Sequence, residues 1–113
     1  MGGRSEAIAT PGGSAPLFAA LGDKTRLRLV ARLCDEGPLS ITRLTAGTEI
    51  TRQAISKHLR VMEDAGLVRH AKQGRESVWR LEQERLAEAR QYLELISKQW
   101  DDALGRLREF VEG

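Results

Sequence analysis

Cysteine is almost missing from this 113-residue chain: Cys34 stands alone. No intrachain disulfide can form, and no cysteine pair is available to hold a metal. Long apolar runs are missing too. Ala7 to Ala9 is far too short for a signal segment, and nothing approaches membrane-spanning length. These absences predict a soluble, cytoplasmic protein. The chain also lacks the parts of an active site: no paired carboxylates in a plausible cleft, no nucleophile beside a base and no glycine-rich phosphate loop, so an enzyme is not expected. Net charge is small, +2, and by itself is weak evidence for a nucleic-acid partner.

The distribution of that charge says more. Residues 51 to 80 hold seven Lys or Arg against three acids, whereas residues 81 to 113 hold five against eight. A basic middle and an acidic tail imply two surfaces with different partners. The length suits one domain with one core.

Met1 to Ser14 carries four glycines and a proline with almost no apolar residue, which predicts a flexible arm over 1–14. From Pro16, the residues Leu17, Phe18 and Leu21 predict a short helix that Gly22 ends. Asp23 reads as the N-cap of a second helix with Leu27, Val30, Ala31, Leu33 and Cys34 as its inward stripe. Ser40 caps a short third helix, with Leu39 and Leu44 placed to close as a hydrophobic staple. Three to four residues, Gly47 to Ile50, then lead into the stretch ITRQAISKHLRVMEDAGLV, residues 50–68.

In that stretch Ala54, Ile55, Leu59, Met62 and Ala65 recur at helical spacing and define a buried stripe. Thr51, Arg52, Gln53, Ser56, Lys57 and Arg60 face away from it, and nearly all can donate hydrogen bonds to phosphates or base edges. Its acids, Glu63 and Asp64, sit only at the far end. Helix, glycine-containing turn and polar-faced helix together make a helix-turn-helix pattern. After Gly66 the period changes: Val68 to Lys72 and Ser77 to Leu81 read as two strands around Gln73, Gly74, Arg75 and Glu76. Trp79 and Leu81 should face the core with Val68 or Ala71 opposite. Lys72, Gln73 and Arg75 give this hairpin a basic tip, the form of a wing that reaches a neighbouring phosphate backbone.

From Glu82 to Glu112 there is no proline and one glycine, so one long helix is expected. Leu86, Ala89, Leu93, Ile96, Trp100, Ala103, Leu107 and Phe110 follow at alternating steps of three and four, a heptad seam broadened by Tyr92, Leu95, Leu104 and Val111. Such a helix would be roughly 46 Å long at ~1.5 Å per residue. Part of its stripe must then meet another chain.

FAALGDKTRLRLVARL at 18–33, the SKHL and AGLV segments within 50–68 and RHAKQGRESVWRL at 69–81 resemble, in this order, the ArsR-type winged helix-turn-helix repressors. The resemblance implies a mainly α fold with a small β-hairpin: four helices, two strands and a last helix. It divides the domain into a DNA-binding part, 15–81, and a dimerisation helix, 82–113. It implies a homodimer in which the first and last helices pair, through Leu17, Phe18, Leu93, Ile96, Trp100, Leu104 and Leu107. It also implies operator binding, usually repression, with release by an effector. Thr51, Arg52, Gln53, Ser56 and Lys57 match the family's recognition face. His58 matches its SxHL histidine, either as a DNA contact or as a residue packed within the motif. His70, on the wing, reads as exposed and silent.

The departures matter as well. Where metal-sensing members carry a cysteine pair this chain has Ser40 and Thr42, and its last helix has carboxylates but no histidine. No metal or other cofactor is expected. Cys34, beside Asp35 and Glu36, lacks the electropositive surroundings of a reactive thiolate and reads as a buried structural cysteine. The expected function is sequence-specific DNA binding on an inverted repeat, with double-stranded DNA and a second copy of the chain as partners; a small-molecule effector is left unidentified. The alternative is a winged-helix module that binds protein instead of DNA, its long last helix being the working surface.

Overall fold

The computed structural model describes residues 13–112. Most of the expected arm therefore lies outside the described residues, but its last two positions belong to the domain. The Gly13 carbonyl accepts from the Arg85 guanidinium at 2.9 Å, and Ser14 stands at the N-cap of the first helix.

Three of the helices start where a polar side chain satisfies a free amide of the first turn. α1, Ala15–Leu21, has no side-chain cap but carries Pro16 in its first turn, where the missing N–H costs nothing. α2, Lys24–Glu36, is capped by Asp23, which accepts from the Arg26 N–H at 3.0 Å. α3, Ile41–Thr45, is capped by Ser40, and α4, Arg52–Asp64, by Thr51, whose hydroxyl accepts from the Ala54 N–H at 3.1 Å. The fourth helix is thus shorter than the stretch that announced it. Ile50 and Thr51 precede it, and Ala65 to Val68 are its cap, a turn and the next strand. The connection from α3 is accordingly longer than three to four residues, running from 46 to 51. The Thr48 hydroxyl shapes it, accepting from the Ile50 N–H at 3.2 Å and lying 3.1 Å from the Thr45 carbonyl.

The sheet holds one strand more than expected. β1, Leu39–Ser40, precedes α3; β2 is Val68–Gln73 and β3 is Glu76–Leu81, in the antiparallel order β1-β3-β2. Leu39 pairs with Trp79 and Ser40 with Val78, so one residue of the expected staple and the cap residue also tie α3 to the hairpin. The hairpin turn is the two residues Gly74 and Arg75. Gly74 has φ +66° and Arg75 has no positive φ, the pattern of a type II′ turn. Val68 stands opposite Leu81 as expected, whereas Trp79 stands opposite His70. α5, Gln83–Glu112, closes the chain.

The core gathers Leu17, Leu44, Ile55, Leu59, Met62 and Leu67 as its most deeply buried large side chains. The stripe of α4 is as expected. That of α2 is not: Leu29 and Leu33 are buried with Val30 against them, while Leu27 is 51% exposed and Ala31 and Cys34 face solvent. The reason is Arg26, which shares the inward face. Its Nε–H donates to the Ala20 carbonyl at 2.7 Å, closing the end of α1, so this inward stripe contains a cation. Cys34 is consequently exposed, not buried.

Candidate nucleic-acid interface

α4 owes its orientation to the two elements beneath it. Its apolar stripe lies on the core, and the guanidinium of Arg52 at its first turn donates to the Thr42 hydroxyl of α3 at 3.2 Å. The opposite face is open. Thr51, Gln53, Ser56, Lys57 and Arg60 line one shallow groove along it. Arg52, Ser56 and Arg60 also line a second groove, shared with Arg75 at the hairpin tip. The structure therefore brings the basic residues of the helix and of the wing onto one continuous surface, with Lys72 and Gln73 exposed beside the turn.

Acids at the edge of this surface are partly engaged. The Glu63 carboxylate accepts from His70 Nδ1 at 2.8 Å, and the His70 ring lies against Trp79, with centroids 4.5 Å apart. His70 is exposed, yet it joins α4 to both strands of the wing. Spacing in the sequence does not reveal this contact, because Glu63 and His70 lie on different elements and no local period links them. Thr42 was missed for the same reason, since it stands on α3, ten residues before its partner Arg52.

His58 points the other way. Its Nδ1 lies 3.1 Å from an Arg26 guanidinium nitrogen and 3.8 Å from the Asp23 carboxylate, and the ring is only partly exposed. Arginine only donates, so Nδ1 accepts. The packed reading is the one this geometry supports, and His58 is not counted in the open face. Asp23 itself is held below its ordinary value of 3.8, first by the Arg26 backbone N–H and, against some desolvation, by the Arg26 charge.

The residues expected at a dimer contact divide in two. Leu17 is fully buried in its own subunit, because α1 is wedged between α2, α4 and α5, and it offers no surface to a partner. Phe18 is partly buried, its ring 5.7 Å from Tyr92 of α5. Ile96 is partly buried, whereas Leu93, Trp100, Leu104 and Leu107 are open to solvent along α5.

An α3–turn–α4 unit followed by a basic two-stranded wing defines a winged helix-turn-helix protein. A helix-turn-helix domain model matches residues 21–71. YuzN, an uncharacterized HTH-type transcriptional regulator of Bacillus subtilis, is 43% identical over 65 residues, 52% of this chain and 71% of that protein. The HTH-type transcriptional regulator Rv2034 of Mycobacterium tuberculosis is 33% identical over 95 residues, covering 84% of this chain and 85% of its own. The solved structure of an ArsR-like transcriptional regulator from Rhodococcus sp. RHA1 superposes with a TM-score of 0.77 at 34% identity, over 88% of this chain and 90% of that one. Arsenic-resistance regulators of Pseudomonas putida and Bacillus subtilis also match, and this chain spans 62% and 64% of their lengths. The chain belongs to the ArsR family of helix-turn-helix transcriptional regulators.

Proposed function

We propose that this regulator binds duplex DNA as a homodimer on an imperfect inverted repeat and acts as a repressor in the cytoplasm. The observation that carries the reading is the single open surface on which Arg52, Ser56 and Arg60 of α4 meet Arg75 of the hairpin. Residues 15–81 present that surface, and 82–113 join two copies. α4 enters the major groove. Arg52, Gln53 and Ser56 meet base edges, where Arg suits guanine and Gln suits adenine. Thr51 is engaged as the helix cap and contributes chiefly by fixing where the helix begins. Lys57, Arg60, Lys72 and Arg75 hold phosphates, with Gln73 beside them. Two-fold symmetry places the recognition helices in successive major grooves about 34 Å apart.

Duplex binding measured against salt tests the reading. Four phosphate contacts per subunit predict that log K falls with log[salt] at a slope of about −7. A protein-docking module would show no duplex binding to lose, and that result would sink the proposal. Gln53→Ala should change preference at one base pair of each half-site by about 1 to 3 kcal/mol. Equal weakening on every sequence would remove Gln53 from base readout.

A further inference from the structure

The end of α2, the loop behind it, β3 and the first turns of α5 enclose an open cavity of about 730 Å³. It contains none of the residues placed on the DNA-binding surface. Leu33, Pro38, Leu81 and Leu86 give it apolar walls, Arg80 and Arg90 supply two guanidiniums, and no lining residue is acidic. Across the ladder from Arg80 stands Arg69, which is engaged by Glu82 at 2.6 Å. The Arg80 side chain has no hydrogen-bond or ion-pair partner among the described residues. Arg90 has Glu94 one turn on at 3.2 Å, with both side chains largely in water, the kind of pair a competing carboxylate can displace.

Two cations over an apolar wall select a particular chemistry. An inorganic anion would leave the leucines unused, and a neutral hydrocarbon would leave the guanidiniums unmet. The volume lies within the range of roughly 300–1,000 Å³ usual for small-molecule sites. We propose that this cavity binds a small amphipathic carboxylate of the aryl- or acyl-carboxylic acid class. Its carboxylate meets the planar donor forks of Arg80 and Arg90, and its hydrocarbon lies on Leu33, Leu81 and Leu86. An occupant would touch both the wing strand β3 and the long helix α5.

Cys34 supplies the test. It is the chain's only cysteine, it is exposed and it lines the cavity, so its alkylation by iodoacetamide reports occupancy. The full chain is labelled with and without 4-phenylbutyrate, with 4-phenylbutyramide as the uncharged control. At twice its Kd the carboxylate should slow alkylation by about threefold, and the amide should not. In Arg80→Gln/Arg90→Gln the protection should vanish while the ligand-free rate and the thermal melt stay unchanged. Ligand-observed NMR with the same probe covers a pose that leaves the thiol open. Absence of both protection and a saturable NMR signal overturns the proposal, as does equal protection by the amide or undiminished protection in the double variant. All readouts use the DNA-free protein. A chain that binds duplex but not the probe loses this inference and keeps its proposed function.

Discussion

Gly66 is where single-residue chemistry is most exacting. It follows α4 with φ +80°, and a Cβ placed there would meet Arg85 Nε at 3.3 Å. Arg85 cannot simply withdraw, because its Nε–H donates to the Ala65 carbonyl at 2.8 Å while its other nitrogens reach Glu88 and Gly13. One guanidinium thereby closes the end of α4, braces α5 and ties down the start of the described chain. Gly66→Ala should therefore cost about 1 to 3 kcal/mol, combining backbone strain with a forced shift of Arg85. Gly47→Ala is the control, with a similar φ of +77° and open space around it, and should cost only about 1 to 2 kcal/mol for the left-handed backbone. Urea unfolding of the two variants measures both. Equal losses would show that the Arg85 contact adds nothing. The glycine stop was legible in the sequence, since a glycine after an apolar helical period is a natural C-terminal signal. Arg85 was not, because its two carbonyl partners lie 20 and 72 residues away and no local spacing encodes them.

Among the elements, spacing fixes the buried face where one period dominates and leaves it open where two compete. α4 keeps Ile55, Leu59 and Met62 on one buried stripe, with Val61 the one large apolar residue left exposed off it, so its buried face was plain from spacing. α2 carries Leu27, Leu29, Val30 and Leu33 around half its circumference, and spacing could not choose among them. The choice was made by Arg26, which turns inward to the Ala20 carbonyl and His58. β1 was hidden because two residues make no period; its pairing with β3 exists only once the hairpin is folded beside it. The wing itself was legible from Gly74 and the alternation around it. Its position against α4 was not, since that depends on the Glu63–His70–Trp79 contact. If the hairpin tip works by holding phosphate, Lys72→Ala/Arg75→Ala should weaken binding to all duplexes alike. Each dimer would lose four phosphate contacts, so the salt slope should become shallower by about 3 to 4. A loss of affinity confined to the preferred sequence, with the slope unchanged, would instead place the wing among the base-reading elements.

The whole molecule is far from round: its principal extents are 66 × 36 × 20 Å. α5 accounts for the long dimension, since 30 residues at ~1.5 Å each span about 45 Å. Its first turns rest on the body, with Ala89 buried and Leu86, Tyr92 and Ile96 partly so, but none of the described residues of the same subunit covers the far half. Trp100 is 62% exposed, Leu107 58% and Phe110 85%. The heptad spacing announced such a seam but could not say where its two halves divide, because a helix packed on its own domain and one packed on a second copy need the same stripe. Burial of each large apolar side chain is worth about 1.5 to 3 kcal/mol, so these residues favour association without any specific polar contact. Trp100 sits in the middle of the uncovered stretch, and a carboxylate there would be trapped in an apolar contact. Trp100→Glu should therefore leave the fold of the subunit intact, because the side chain touches little within it, while converting the protein to monomers in sedimentation equilibrium. Operator binding should fall with it, since a monomer engages only one half-site, and the residual affinity for an inverted repeat should match that for an isolated half-site. A variant that sediments as a dimer and keeps full affinity would move the contact between copies away from α5.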